Sequence, residues 1–280
     1  MGTSKQEHIY FFWSTSIIIC MLLAFFALLF ASCSRSGDEK PEDIDPALYS
    51  IQPYDPNVSP DVDDIGVIPS TDPAASTETR LAETADMGQS YIDSFVFLGD
   101  STTYSLAHYN VVPASQVWTP ISGTLTLPLW STSTIVYEDG SEIPIIDAVT
   151  LKQPEYMLIT LGVNGVSFLS EKDFVETYTA LVQAIAQASP NTKIILNSIY
   201  PVTAEYDASG TGITNAKIDT ANEWVERIAG STGVKFLDTE SILKGEDGAL
   251  PASYSNDNAL HLNEQTLKRV IQYIRTHGYV

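Results

Sequence analysis

The sequence predicts an α/β domain in which a parallel sheet lies between two layers of helices. Short apolar runs alternate with stretches of helical periodicity throughout residues 91–280. Strands that alternate with helices pair in parallel, and the connecting helices cover both faces of the sheet. Five candidate strands fit this length, so we expect a three-layer α/β/α fold with a flavodoxin-like, five-stranded parallel sheet.

The candidate strands are apolar runs that end at turn-forming residues. In chain order they are Phe95–Leu98, Ser115–Ile121, Tyr156–Leu161, Lys193–Ile199 and Val234–Leu237. Between the second and third strands, Thr134–Ile145 alternates around Asp139-Gly140, a pattern that is typical of a β-hairpin.

The candidate helices follow these strands. One begins directly after the first strand, over Thr102–Tyr109, and another ends before Gly233, over Ile213–Ala229. A closing amphipathic helix is expected over Glu264–Thr276. A further helix is indicated by apolar residues at helical spacing, namely Phe174, Tyr178, Leu181, Val182 and Ile185.

The N-terminal segment has a different character. Residues 9–30 form an uncharged run of 22 residues, which is long enough to cross a bilayer. The run ends in Phe30-Ala31-Ser32-Cys33, which resembles a bacterial lipobox, with Phe30 where Leu is usual. Residues 1–33 are therefore predicted to be a signal anchor or a lipoprotein signal peptide, and either would tether the remaining chain outside the cytoplasm.

The two cysteines of the chain both lie in this N-terminal segment, as Cys20 and Cys33. The remaining residues therefore have neither a disulfide nor a thiolate metal site. The sequence also contains no metal-binding motif and no phosphate-binding loop, so we expect no cofactor.

Residues 34–90 are acidic and rich in proline, with 13 Asp or Glu against 3 Lys or Arg and 7 of the 15 prolines. Such a composition favours a disordered, self-repelling linker. The domain that follows, over residues 91–280, has 10 basic residues against 21 acidic ones. Nucleic-acid binding needs a basic surface, so we exclude a nucleic acid as a partner.

Three polar motifs follow strands of the predicted sheet. Gly99-Asp100-Ser101 follows the first strand, Gly162-Val163-Asn164-Gly165 follows the Tyr156–Leu161 strand, and Asp257 to His261 lie in the loop after the last strand. The carboxyl ends of parallel strands meet at one edge, where ligands bind. A hydroxyl, an amide and an imidazole at one edge are the parts needed for acyl transfer. We expect Asp100 to bond locally within its turn, and His108 to be structural.

In these motifs and their order, residues 94–270 resemble the SGNH (GDSL) hydrolase superfamily of esterases and lipases. The resemblance implies that Ser101 is the nucleophile and His261 its base. It also implies an oxyanion hole made by the backbone N–H groups of Ser101 and Gly123 and the side-chain amide of Asn164. Gly123 is matched through Ile121-Ser122-Gly123-Thr124, and Gly165 stands where the family commonly has Asp.

The last motif departs from the family pattern. The family places an Asp three residues before its His, but Asn258 stands there in this chain and Asp257 is one residue further away. Either Asp257 reaches the imidazole through a shifted loop, or Asn258 orients it as a neutral acceptor. A backbone carbonyl is the third alternative.

The sequence thus predicts a membrane-tethered, extracytoplasmic serine esterase that works through an acyl-enzyme on Ser101. The resemblance and the expected location indicate small acyl esters, acetyl above all, on an acylated small molecule or on cell-surface or dietary polysaccharide. Three alternatives stay open: a lysophospholipase or lipase, an acyltransferase, and a non-catalytic surface binding domain.

Overall fold

The computed structural model describes residues 79–280. The predictions for residues 1–33, and those for residues 34–78, lie outside the described residues. The strands, in chain order, are β1 (Phe95–Gly99), β2 (Val117–Trp118), β3 (Thr134–Val136), β4 (Glu142–Pro144), β5 (Tyr156–Thr160), β6 (Lys193–Asn197) and β7 (Lys235–Leu237). The α-helices are α1 (Gln89–Asp93), α2 (Ser101–His108), α3 (Ile145–Lys152), α4 (Glu171–Ala188), α5 (Ala204–Asp207), α6 (Asn215–Thr232) and α7 (Glu264–Arg275).

The central sheet confirms the predicted fold class. Its order is β2-β1-β5-β6-β7, and every neighbouring pair is parallel. The register of the central pair aligns Phe95 with Tyr156 and Gly99 with Thr160, so β1 and β5 end level with each other. Residues that follow these two strands therefore begin at the same edge of the sheet, which is where the first two motifs lie.

Alternation along the strands divides the core into two layers. Phe95 and Phe97 pack on one face, in a cluster with residues of α1 and α7. Val96 and Leu98 pack on the other face, in a cluster with residues of α3, α4 and α6. Because successive side chains of a strand point to opposite faces, each strand contributes to both layers, and helices cover both.

Two elements differ from the sequence-based prediction. The second strand is only Val117–Trp118, because a 3₁₀ turn at Ala114–Gln116 occupies the start of the predicted run. The β-hairpin is present as the antiparallel pair β3–β4, but it ends at Pro144. Ile145–Lys152 then forms α3, which buries Ile145, Ala148 and Val149 at helical spacing.

Residues 79–90, which the composition assigns to the linker, pack on the domain. Arg80 forms a parallel bridge with Phe236 of β7, and Leu81 N–H donates to the Phe236 carbonyl at 2.8 Å. Further along, the Asp86 carboxylate accepts from Arg275 Nε at 2.8 Å and from Arg275 Nη2 at 2.7 Å. The domain thus includes these residues, rather than beginning at residue 91 as predicted.

Within residues 79–280, none of the helices combines the length and the apolar character needed to span a bilayer.

Candidate active site

The turn between β1 and α2 places Ser101 at the first position of a helix. Asp100 is the N-cap residue, and its Oδ1 accepts from Thr102 N at 3.0 Å and from Thr102 Oγ1 at 2.8 Å. The turn also requires Gly99, because a Cβ there would lie 2.0 Å from Thr103 Oγ1 and 2.6 Å from the Thr160 carbonyl oxygen. The Gly-Asp-Ser motif is therefore the local chemistry that presents Ser101 at the sheet edge.

Asp100 is buried, with 1% of its surface exposed. Burial raises the pKa of this carboxyl to about 6, although the hydrogen bonds from Thr102 act in the opposite direction. The local bonding expected for Asp100 from the sequence is present in the structure.

His261 lies between Ser101 and Asp257. Its Nε2 is 2.9 Å from Ser101 Oγ, and its Nδ1 is 2.5 Å from Asp257 Oδ2. A carboxylate at Nδ1 fixes the tautomer in which Nδ1 carries the hydrogen and Nε2 is free to accept one. The structure thus brings together the predicted nucleophile, its predicted base and one of the two candidate partners.

Asp257 is held by further hydrogen bonds. Its Oδ1 accepts from Ser255 Oγ at 2.9 Å and from Ala259 N at 2.8 Å. Partial burial raises the pKa of the Asp257 carboxyl, but the bonds from His261, Ser255 and Ala259 outweigh burial, and the pKa is lowered overall. Asp257 therefore stays ionised where the imidazole needs a negative partner.

Asn258 does not contact the imidazole. Its side-chain amide donates to the Glu205 carboxylate, and its backbone is left-handed, with φ 56°. Asparagine tolerates this conformation better than most residues. Of the alternatives that the sequence leaves open, Asp257 is the one that contacts Nδ1 in this structure.

Two predicted oxyanion donors have other partners in this structure. The amide of Asn164 donates to Asp100 Oδ2 at 3.4 Å and to the Leu125 carbonyl at 3.3 Å, both near the outer limit for a hydrogen bond. The N–H of Gly123 donates to the Pro120 carbonyl at 2.8 Å, in a turn where Gly123 has φ 70°. The Gly123 N–H is not free to bind an oxyanion unless this turn opens.

Sequence reasoning missed two residues around Asp257. Ser255 stands two positions before Asp257, and a short-range turn motif could have found it. Thr203 donates to the Asn258 carbonyl at 2.7 Å, but 55 positions separate them, so no local signal exists.

His108 lies outside the Ser101–His261–Asp257 group and packs against Tyr104 and Tyr109.

These contacts suit nucleophilic chemistry. A serine hydroxyl is a weak nucleophile until an adjacent base accepts its proton, and a base is more effective when a carboxylate orients and stabilises it. In the part of the chain that the structure describes, no group of three or more His, Cys, Asp or Glu is arranged to hold a metal ion.

Comparison with known proteins places this geometry in context. The model of the GDSL-like lipase/acylhydrolase family matches residues 97–268, which is more than half of the chain. No curated protein matches. Among solved structures, a GDSL-like lipase from Bacteroides thetaiotaomicron is 19% identical, with a TM-score of 0.46, over 71% of this chain and 92% of that one. The acetyl xylan esterase AlAXEase is 17% identical, with a TM-score of 0.48, over 64% and 96%.

Proposed function

We propose that this chain, which belongs to the GDSL-like lipase/acylhydrolase family and is a serine ester hydrolase, removes small acyl groups from carbohydrate outside the cytoplasm. One observation carries the assignment of the site. Ser101 Oγ lies 2.9 Å from His261 Nε2, and the opposite nitrogen of the same ring lies 2.5 Å from Asp257.

In the proposed mechanism, Ser101 Oγ attacks the ester carbonyl carbon while its proton passes to His261 Nε2. The imidazolium that forms is stabilised by Asp257. The tetrahedral intermediate then collapses, the bond to the alcohol oxygen breaks, and His261 returns the proton to the leaving alcohol. Water, deprotonated by His261, attacks the acyl-enzyme, and the acid leaves as Ser101 regains its proton.

The negative oxygen of the intermediate needs hydrogen-bond donors. The first N–H groups of a helix have no partner within the helix, so the Ser101 N–H at the start of α2 suits this role. The Asn164 amide suits it as well, since both of its present bonds, at 3.4 and 3.3 Å, are long. Gly123 is proposed as the third donor, with its turn opened.

The substrate class is proposed from location and charge. The uncharged run at residues 9–30 and the lipobox-like Cys33 support a tether on the extracytoplasmic face of a membrane, where acylated polysaccharide is an accessible ester. The excess of acidic residues in the domain disfavours polyanionic substrates. Acetyl esters on neutral sugars satisfy both conditions, whether the polysaccharide belongs to the cell surface or to the diet.

Acetate release tests this function. Wild-type protein and the Ser101→Ala variant are incubated with p-nitrophenyl acetate and with acetylated xylan. We expect the wild type to release acetate from both, and the variant to lose at least about a thousandfold in rate. Equal rates for the two proteins would remove Ser101 from the mechanism, whereas activity on the nitrophenyl ester alone would reject the carbohydrate substrate.

A second candidate, hydrolysis of lipid esters, is favoured by exposed apolar side chains beside the site. Ile121, in the loop after β2, is 74% exposed, and Phe168, in the loop after β5, is 62% exposed. Both loops leave the carboxyl edge of the sheet. A series of p-nitrophenyl esters from acetyl to decanoyl separates the two functions, since kcat/KM should fall with acyl length for the acetylesterase and rise for the lipase.

The tether has its own test. Mass spectrometry of the mature protein should show a diacylglycerol-modified Cys33 at the N-terminus if the lipobox is used. An intact Met1 would support the signal anchor instead.

A further inference from the structure

The segment that carries Asp257 and His261, here called the acid loop (residues 255–261), is closed at its base by its own contacts. Ser255 and Leu262 form an antiparallel bridge, and Asn256 N–H donates to the His261 carbonyl at 3.0 Å. The hydrogen bonds from Ser255 and Ala259 to Asp257 also lie within the loop. None of these contacts fixes the tip of the loop to the body of the domain.

Thr203 attaches the tip to the domain. Its Oγ1 donates to the Asn258 carbonyl at 2.7 Å, and its backbone N–H donates to the Ala259 carbonyl at 2.9 Å. These two carbonyls belong to the residues directly after Asp257. A single residue thus holds two successive peptide groups of the acid loop.

Thr203 is itself rigidly placed. It is 2% exposed, and it caps α5 by accepting from Tyr206 N at 3.2 Å. The residue before it is held as well, because the Asn215 side chain accepts from Val202 N at 2.9 Å and donates to Val202 O at 3.0 Å. Bonds that are partly shielded from water, as these are, hold a geometry better than exposed ones.

Another bond to the same tip is weaker support. The Asn258 amide donates to the Glu205 carboxylate, but both side chains are exposed. Exposed polar contacts contribute little because water competes for both partners. The neighbouring Asn256 amide donates to Tyr109 Oη at 2.8 Å, also at an exposed position. Thr203 therefore provides the buried attachment of the tip.

The position of Asp257, one residue further from His261 than in the family motif, explains why this attachment matters. Asp257 is four residues before His261, and the extra residue is accommodated by the left-handed backbone at Asn258. A left-handed residue outside glycine is a strained conformation that the surrounding structure must hold. We propose that Thr203 is a positioning residue that holds Asp257 against His261 by fixing the Asn258–Ala259 backbone. This inference rests on the proposed serine esterase function.

The test compares three variants of the full chain. Thr203→Val removes the hydroxyl but keeps the shape, Thr203→Ser restores the hydroxyl, and Thr214→Val is the matched control. Thr214 caps α6 in the way that Thr203 caps α5, by accepting from Lys217 N, so the control loses a cap of the same kind.

The expected results separate positioning from capping. Thr203→Val should lower kcat for p-nitrophenyl acetate by about 10- to 100-fold with KM little changed, because misplacing a catalytic group by about 1 Å has an effect of this size. Thr203→Ser should regain most of the lost rate. Thr214→Val should keep the wild-type rate.

A direct readout comes from proton NMR of the His261 Nδ1–H, whose resonance lies far downfield while it is bonded to Asp257. We expect this resonance to be lost or shifted upfield in Thr203→Val and retained in Thr214→Val. If Thr203→Val does not fold, Thr203→Ala, which introduces no apolar branch against the carbonyl, takes its place.

Two outcomes would overturn the inference: a wild-type rate and resonance in Thr203→Val, or an equal loss in Thr214→Val. Failure of the proposed function is seen separately, as equal rates for Ser101→Ala and wild type, and it would leave the NMR result standing as evidence on the loop.

Discussion

At the scale of single residues, Asp257 contacts His261 although it lies one position further from it in sequence than the acid of the family motif. Moving an acid by one position along a regular segment would turn it away from His261, yet Asp257 Oδ2 lies 2.5 Å from Nδ1. The left-handed turn at Asn258 takes up the extra residue. Asn258 occupies the family position of the acid, and its side chain is directed to Glu205 instead.

Substituting Asp257 and Asn258 separately tests which of them orients His261. Asp257→Asn should lower kcat for p-nitrophenyl acetate by about 10³- to 10⁴-fold, because an amide neither fixes the tautomer nor stabilises the imidazolium. Asn258→Asp is the matched control and should change kcat by less than about threefold, since its side chain faces away from the ring. A large loss in Asn258→Ala together with a small one in Asp257→Asn would assign the orienting role to Asn258.

Asp100 should make stability depend on pH. Its pKa is about 6 in the folded protein, against 3.8 as the ordinary value. Between these pH values the folded state keeps a proton that the unfolded state releases, so the free energy of unfolding falls as pH rises from about 4 to about 6. The fall is at most about 3 kcal/mol.

Urea unfolding at several pH values checks this effect. Other carboxyls titrate as well, so the informative quantity is the difference between wild type and Asp100→Asn. The variant should gain stability relative to wild type as pH rises through this window, because its amide has no charge to bury. A pH-independent difference would show that burial does not perturb Asp100.

At the scale of elements, a side chain of α6 forms hydrogen bonds with the backbone just beyond the end of β6. Asn222 is buried, and its amide accepts from Ile199 N at 2.7 Å and donates to Ile199 O at 3.0 Å. These backbone groups lie two residues beyond the last strand residue, Asn197. The segment leading to Thr203 starts from this anchored point.

Replacing Asn222 with Leu should therefore leave the Ile199 N–H and carbonyl unsatisfied and remove a donor at 2.8 Å from the buried Glu240 carboxylate. We expect the free energy of unfolding to fall by about 2–4 kcal/mol, as measured by urea denaturation. The exposed Asn191→Leu is the control and should fall within about 0.5 kcal/mol of wild type. Equal stability of the two variants would mean that water replaces the lost bonds.

The elements predicted correctly are those with a strong apolar pattern. The strands that begin at Phe95 and Tyr156 are buried throughout, and the strand that begins at Lys193 is buried after its first residue; their near-continuous apolar residues suffice to identify them. The helix Ile145–Lys152 was not predicted, because the alternation of Thr134–Ile145 assigned its first residue to the hairpin.

At the scale of the whole molecule, topology explains why the site was predictable. Parallel strands bring the segments after them to one edge, so the order of the motifs already placed Ser101 and His261 together. Contacts that depend on long-range geometry left no such trace. Thr203, for example, donates to the Asn258 carbonyl, 55 positions further along the chain.

The start of the domain was placed too late for the same reason. Residues 79–90 have the composition of a linker, and their role becomes visible only through β7 and α7. Thr84 N–H donates to the Thr276 carbonyl at 2.7 Å, and Met87 N–H donates to the Arg275 carbonyl at 2.9 Å. This stretch therefore runs from the edge of the sheet to the end of the last helix.

A chain that begins at residue 91 should consequently be less stable than one that begins at Thr79. It loses the backbone bonds of Leu81, Thr84 and Met87 as well as the Asp86–Arg275 ion pair, and it uncovers the edge of β7. We expect the free energy of unfolding to fall by about 2–4 kcal/mol, at about 1 kcal/mol for each lost backbone bond, in urea titrations of both chains. Exposed strand edges pair with other chains, so the shorter protein should also aggregate more readily in light scattering. Equal stability and equal solubility of the two chains would show that residues 79–90 do not stabilise the domain, and that a boundary at residue 91 is adequate for folding.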